Sequence, residues 1–221
     1  MFLLKSTQVN EQIFHAEALT LNSNTPGAIV ILLLTVAVSL YGLYAQPKLI
    51  ELSLFRPYYL VRNKQYHTLL SSGLVHGNVT HLLFNMLTFY FFGPPLERVI
   101  GTAPFIVLYG VSLALSEVRT YLQQRDNSRY ASLGASGAVS AVLFAAIVYF
   151  PKQSLFILPI PIPIPAPIFA VGYLVYAWYL SRHGRDGINH TAHLDGAITG
   201  LLFVAITDAD AYRRLWAAVS A

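Results

Sequence analysis

The sequence predicts an all-α membrane protein, a bundle of six transmembrane helices with a long interfacial loop between the first two. Three observations lead there. Of the 221 residues, 55% are hydrophobic and only 11% are charged. An average soluble domain carries roughly 25% charged residues, so this chain cannot wet the surface of a soluble globule. The apolar residues fall into runs about as long as a bilayer core is thick. Where polar residues interrupt a run, they gather at one of its ends. The same numbers exclude a disordered chain. With no cysteine there is no disulfide framework, no thiolate metal site and no cysteine nucleophile. A scattered net charge of +4 leaves no footprint for nucleic acid. The length suits one domain: a polar tail over 1–26, a membrane domain over 27–207 and a short tail over 208–221.

The first run, 27–46, is uncharged and at about 1.5 Å per residue spans about 30 Å, one bilayer core. Polar residues including Lys5, Glu11 and Glu17 precede it, so it reads as an anchor helix rather than a signal peptide. The loop over 47–77 mixes Phe55, Tyr58, Tyr59 and Tyr66 with Arg56, Arg62 and Lys64, which suits a segment lying among lipid headgroups. Further spans are predicted over 78–96, 101–122, 136–150 and 190–206. Between 158 and 168, proline occupies alternate positions from Pro159 to Pro167. That excludes a helix there and predicts polyproline II, followed by a short, loosely held fifth helix to about Ser181.

Six spans put both termini on one face, side A, and the polar ends of the second, fourth and sixth helices toward the opposite face, side B. Ionisable and polar groups inside a membrane are costly and mark functional candidates. Ser136, in Gly134-Ala135-Ser136-Gly137, opens the fourth helix, where alone it reads as a cap or a small-residue contact. It is not the hydrolase elbow, since Ala138 stands where that motif needs glycine. His193 begins the sixth helix and shares a face with Gly196 and Gly200, whose spacing lets a neighbouring backbone approach. Ala197 lies roughly 100° further round, so a valine there should be better tolerated than one at Gly196. His81 and Asn85 stack at i, i+4 on the second helix, just after His76. Each signal alone is weak. Together they set a nucleophile, a base and a pair of donors at one depth on side B, the inventory for acyl transfer. No carboxylate completes a triad: Asp195 points away from His193 on its helix, and Glu117 has no motif around it.

Taken in order, His76-Gly-Asn-Val-Thr-His81-Leu-Leu-Phe-Asn85, Gly93-x-x-x-Glu97-x-x-x-Gly101, Gly134-Ala-Ser136-Gly137 and Ala192-His193-Leu-Asp-Gly196 with Gly200 resemble the rhomboid family of intramembrane serine proteases, over about 47–206. The resemblance implies a six-helix bundle with a cavity open to one membrane face. It implies Ser136 as nucleophile, His193 as general base, and His81, Asn85 and the Ser136 N–H as an oxyanion hole. Gly134 would shape the serine turn, Gly137, Gly196 and Gly200 would support the site, and His76 and Glu97 would be structural. The fifth helix resembles the family's lateral gate. Three positions depart from the pattern. Phe55-Arg56 stands nearest to a Trp-Arg pair, Ser140 replaces an aromatic that stacks on the imidazole, and Asp195 replaces a small or apolar residue.

The resemblance implies transmembrane protein substrates in a lipid bilayer, with no cofactor and no metal. It also implies a multi-pass protein of the cell inner membrane with cytoplasmic termini, although a plain count of cations favours side B as the cytoplasmic face. Three other readings are weaker. A pseudoprotease that binds membrane proteins without cutting them would lack Ser136 or His193. A metal site built from His67, His76, His81, His190 and His193 lacks the HExxH spacing. A transporter would show an inverted repeat.

Overall fold

The computed structural model describes residues 25–157, 160–184 and 186–220. The predicted tail therefore lies outside the described residues up to position 24. Helix α1 (Pro26–Tyr44) opens on a proline, whose missing N–H costs nothing in a first turn. It turns Gly27, Ala28, Thr35, Ser39 and Gly42 inward and leaves Val30, Leu33, Leu34 and Tyr41 exposed. Small and polar side chains inside with large apolar ones outside is the reverse of a soluble helix. It suits lipid, where close packing rather than hydrophobic exclusion joins helices.

The loop over 47–77 folds into short helices α2 (Pro47–Ser53), α3 (Pro57–Arg62) and α4 (Thr68–Ser71), then a 3₁₀ turn, Ser72–Leu74. Helix α5 (Val79–Ile100) is capped by Asn78, whose side chain accepts the His81 N–H. The predicted third span is broken by a turn at 116–117 into α6 (Thr102–Leu115) and α7 (Val118–Gln124). Helix α8 (Ser136–Tyr149) is the centre of the molecule: every residue from Gly137 to Tyr149 is buried, among α5, α6 and the helices that follow. Its glycine, serine and alanines allow approach from all sides. Phe89 of α5 and Phe105 and Tyr109 of α6 complete this core, with ring centroids 6.0 and 5.4 Å from Phe89.

The proline tract is not free polyproline II. Strand β1 (Ser154–Ile157) pairs antiparallel with β2 (Ile160–Pro165), with Leu155 opposite Ile164 and Phe156 opposite Pro163. Proline at every second position puts all the missing N–H groups on one side of β2. The other side keeps its donors for β1, and the prolines make β2 an edge strand. Residues 158 and 159 of the tract lie outside the described residues.

Helix α9 (Ala166–His183) buries only Ala166 and Ala177, in keeping with a loosely held fifth helix. Helix α10 (His190–Thr207) is capped by Asn189, whose side chain accepts the Ala192 N–H. In the predicted C-terminal tail, α11 (Ala209–Val219) turns 109° from α10, and Tyr212 donates its hydroxyl to the Leu201 carbonyl. By length and apolarity, Pro26–Tyr44 and Thr102–Gln124 each suffice to cross a membrane, and the bent pair of α10 and α11 is a third candidate if taken as one span.

Candidate active site

Ser136 is the first residue of α8, and the turn before it is fixed from three directions. Phe55, fully buried, forms an antiparallel bridge with Ser132 (2.9 and 3.0 Å), and the Gly134 N–H donates to the Ser72 carbonyl at 2.9 Å. Phe55 thus braces the serine turn through its backbone. His76 is also fully buried. Ser39 Oγ donates to the Leu74 carbonyl and lies 2.9 Å from His76 Nδ1, and the Ala135 N–H donates to His76 Nε2 at 3.4 Å. The Ser39 proton is spent on Leu74, so Nδ1 carries the ring proton and Nε2 is the acceptor. Burial, and then the neighbouring His81, push the His76 imidazole down to about 3, which keeps it in this neutral form.

Gly134 has φ +111, a conformation that side chains rarely adopt, and a Cβ there would lie 2.6 Å from His81 Cε1 and 2.9 Å from its Nε2. The Cε1–Nε2 edge of the His81 ring therefore lies against the turn that leads into Ser136. Asn85 is buried one turn along α5 and donates one amide N–H to the His81 carbonyl at 3.0 Å. Its second N–H is available to another acceptor.

His193 stands in the first turn of α10, which runs parallel to α8 with its glycines directly on the α8 backbone. A Cβ on Gly196 would collide with the Gly137 carbonyl and lie 2.9 Å from the Gly137 Cα. A Cβ on Gly200 would collide with the Ala141 carbonyl one turn on. Gly137 itself is wedged: a Cβ there would lie 2.6 Å from Ser116 Cβ and 3.4 Å from the Ala192 carbonyl. This register sets the turn that holds His193 level with Ser136. Both side chains are half-buried. His193 Nδ1 faces Tyr173 Oη of α9 at 3.4 Å, which turns Nε2 away from α9.

Ala197 does not face lipid. It is fully buried against Leu143, Phe144 and Ile147. Helix α10 is therefore enclosed on that side too.

Several residues that motif reading passed over hold α10 in place. Arg119 of α7 grips Asp195 with two hydrogen bonds, one from Nε at 3.1 Å and one from Nη2. Glu117, buried, accepts from Asn189 Nδ2 at 3.1 Å, and Thr120 Oγ1 donates to Asn189 Oδ1 at 3.2 Å. The unusual aspartate is thus half of a bidentate ion pair, and Glu117 steadies the cap of α10. A signal for the pair was present: a carboxylate within a span requires a cation, and Arg119 stands at the same depth. Glu97 is far from this site, at the side A end of α5. It accepts from the Gly27 and Ala28 N–H groups at 2.9 and 2.6 Å and from Thr102 Oγ1 at 2.7 Å, a carboxylate on the positive end of α1. Among the described residues, no group of three or more histidines and acids is arranged to hold a metal ion.

The rhomboid domain profile matches residues 63–209. Rhomboid protein 1, mitochondrial, of Saccharomyces cerevisiae is 30% identical over 86% of this chain and 56% of its own length. RHOMBOID-like protein 12, mitochondrial, of Arabidopsis thaliana is 30% identical over 62% of this chain and 45% of its own. Bacillus subtilis YdcA is 37% identical over 36% of this chain and 39% of its own. The matches thus cover about half the length of these relatives or less. With a matched profile over most of its length, this chain belongs to the rhomboid family, and its apolar helices mark it as an integral membrane protein.

Proposed function

We propose that the chain is an intramembrane serine endopeptidase that cuts transmembrane segments of membrane proteins with Ser136 and His193. The observation that carries this reading is the seating of Gly196 and Gly200 on the backbone of Gly137 and Ala141, which holds the first turn of α10 beside the start of α8. With Nδ1 engaged by Tyr173, Nε2 is the nitrogen left for the serine hydroxyl.

In this mechanism Ser136 Oγ attacks the scissile carbonyl carbon while His193 Nε2 takes the hydroxyl proton. The carbonyl oxygen gains negative charge and is met by donors from His81, Asn85 and the Ser136 N–H. The C–N bond breaks as His193 returns the proton to the leaving amine. Water, deprotonated by the same imidazole, then attacks the acyl carbon; the C–O bond to Ser136 breaks, and His193 returns the proton to Ser136 Oγ. The reading takes α1, α5, α6 with α7, α8, α9 and α10 as six spans in a domain over 27–207. The termini are cytoplasmic, and the membrane is the cell inner membrane.

The test is cleavage of a transmembrane reporter by purified protein in detergent. Wild type cuts it, and Ser136→Ala and His193→Ala do not. Cleavage that survives both substitutions overturns the assignment.

A further inference from the structure

We propose that Tyr173 is the positioning residue for His193, holding Nδ1 so that Nε2 faces Ser136. The inference rests on the dyad reading above and adds what orients its base. Tyr173 Oη lies 3.2 Å from Ser140 Oγ and 3.4 Å from His193 Nδ1. Its ring is fixed between Phe144 of α8 (centroids 5.3 Å apart) and Phe169 of α9 (5.7 Å, stacked), so the direction of the hydroxyl is fixed as well.

The sense of the chain matters. A phenol has one proton to give and can accept another. With Ser140 Oγ as acceptor for the tyrosine proton, Tyr173 Oη accepts from His193 Nδ1–H, and Nε2 carries the lone pair that a general base needs. In the opposite sense the ring proton would sit on Nε2, and the serine hydroxyl would have no acceptor. Ser140 lies one turn after Ser136 on the same face of α8. The orienting hydroxyl is therefore tethered to the helix that carries the nucleophile.

Among the described residues no carboxylate takes this place: Asp195 is held by Arg119, Glu117 by Asn189, and Asp186 by His190. The tyrosine also rides on α9, where Gly172 faces open space and only Ala166 and Ala177 are buried. The orienting hydroxyl thus comes from a helix other than those that carry the base and the nucleophile.

The test uses the full chain in detergent: wild type, Tyr173→Phe, Ser140→Ala and the double variant. Phenylalanine keeps the ring contacts and removes one oxygen. The expected result is a fall in kcat of about tenfold for Tyr173→Phe, the order of one hydrogen bond. KM and the thermal midpoint stay unchanged, and fluorophosphonate labelling of Ser136 slows by the same factor. Ser140→Ala loses about threefold, and the double variant loses no more than Tyr173→Phe, because Ser140 acts only through the tyrosine. Unchanged kcat and labelling in Tyr173→Phe, a change confined to KM, or losses that multiply in the double variant each overturn the assignment while leaving the dyad intact. If Tyr173→Phe melts early, Ser140→Ala decides alone, and wild-type kcat there overturns the proposal. A wild type that neither cuts nor labels removes the dyad reading and this inference with it.

Discussion

Gly196 rests on the backbone of Gly137, with no room for a single added carbon between them. This contact sets the distance between the helix of the proposed base and the helix of the proposed nucleophile. A valine at Gly196 must push α10 off α8. A shift of about 1 Å costs on the order of 10²-fold in rate through lost orientation, and overpacking costs about 1–3 kcal/mol in stability. Gly196→Val is expected to lose both activity and thermal stability. The proper control is Ile198→Val on the same helix, because Ile198 is exposed and Ala197 is not. Wild-type activity and melting in Gly196→Val would contradict the packing.

The second expectation concerns the donors. Asn85→Ala and His81→Phe each remove N–H groups, and phenylalanine keeps a ring against Gly134. Turnover should fall by roughly 10²–10³ with little change in KM, because the charge they meet exists only after attack. An effect on KM alone would make both residues part of substrate binding.

How much of this was legible in the sequence follows from how local each feature is. The i, i+4 spacing of Gly196 and Gly200 is a property of any helix, so a close contact on that face could be read directly, and α8 supplies it. Which other faces were enclosed could not be read, because that depends on neighbours distant in sequence. The full burial of Ala197 was hidden for this reason. The alternate prolines announced an extended backbone, but pairing with Ser154–Ile157 needed the preceding segment to turn back. Ser140 stood out as a missing aromatic, while Tyr173, which reaches its hydroxyl from another helix, carried no local mark.

Glu97 supports a third expectation, one about stability and not chemistry. Its two oxygens take the Gly27 and Ala28 N–H groups and the Thr102 hydroxyl. In Glu97→Gln one oxygen becomes an NH₂ that must face a donor. A charge-assisted hydrogen bond contributes about 1.5–3 kcal/mol, so a loss of about 2 kcal/mol is expected, with kcat unchanged below the melting transition. An unchanged thermal midpoint would show that α1 needs no such anchor.

The central claim is that Ser136 is the nucleophile. The most direct measurement is to treat the detergent-purified chain with a fluorophosphonate probe and map the labelled residue by mass spectrometry. The account predicts label on Ser136 alone, none on a folded Ser136→Ala variant, and no effect of EDTA. Label on a different residue, undiminished label on Ser136→Ala, or EDTA-sensitive cleavage would contradict it.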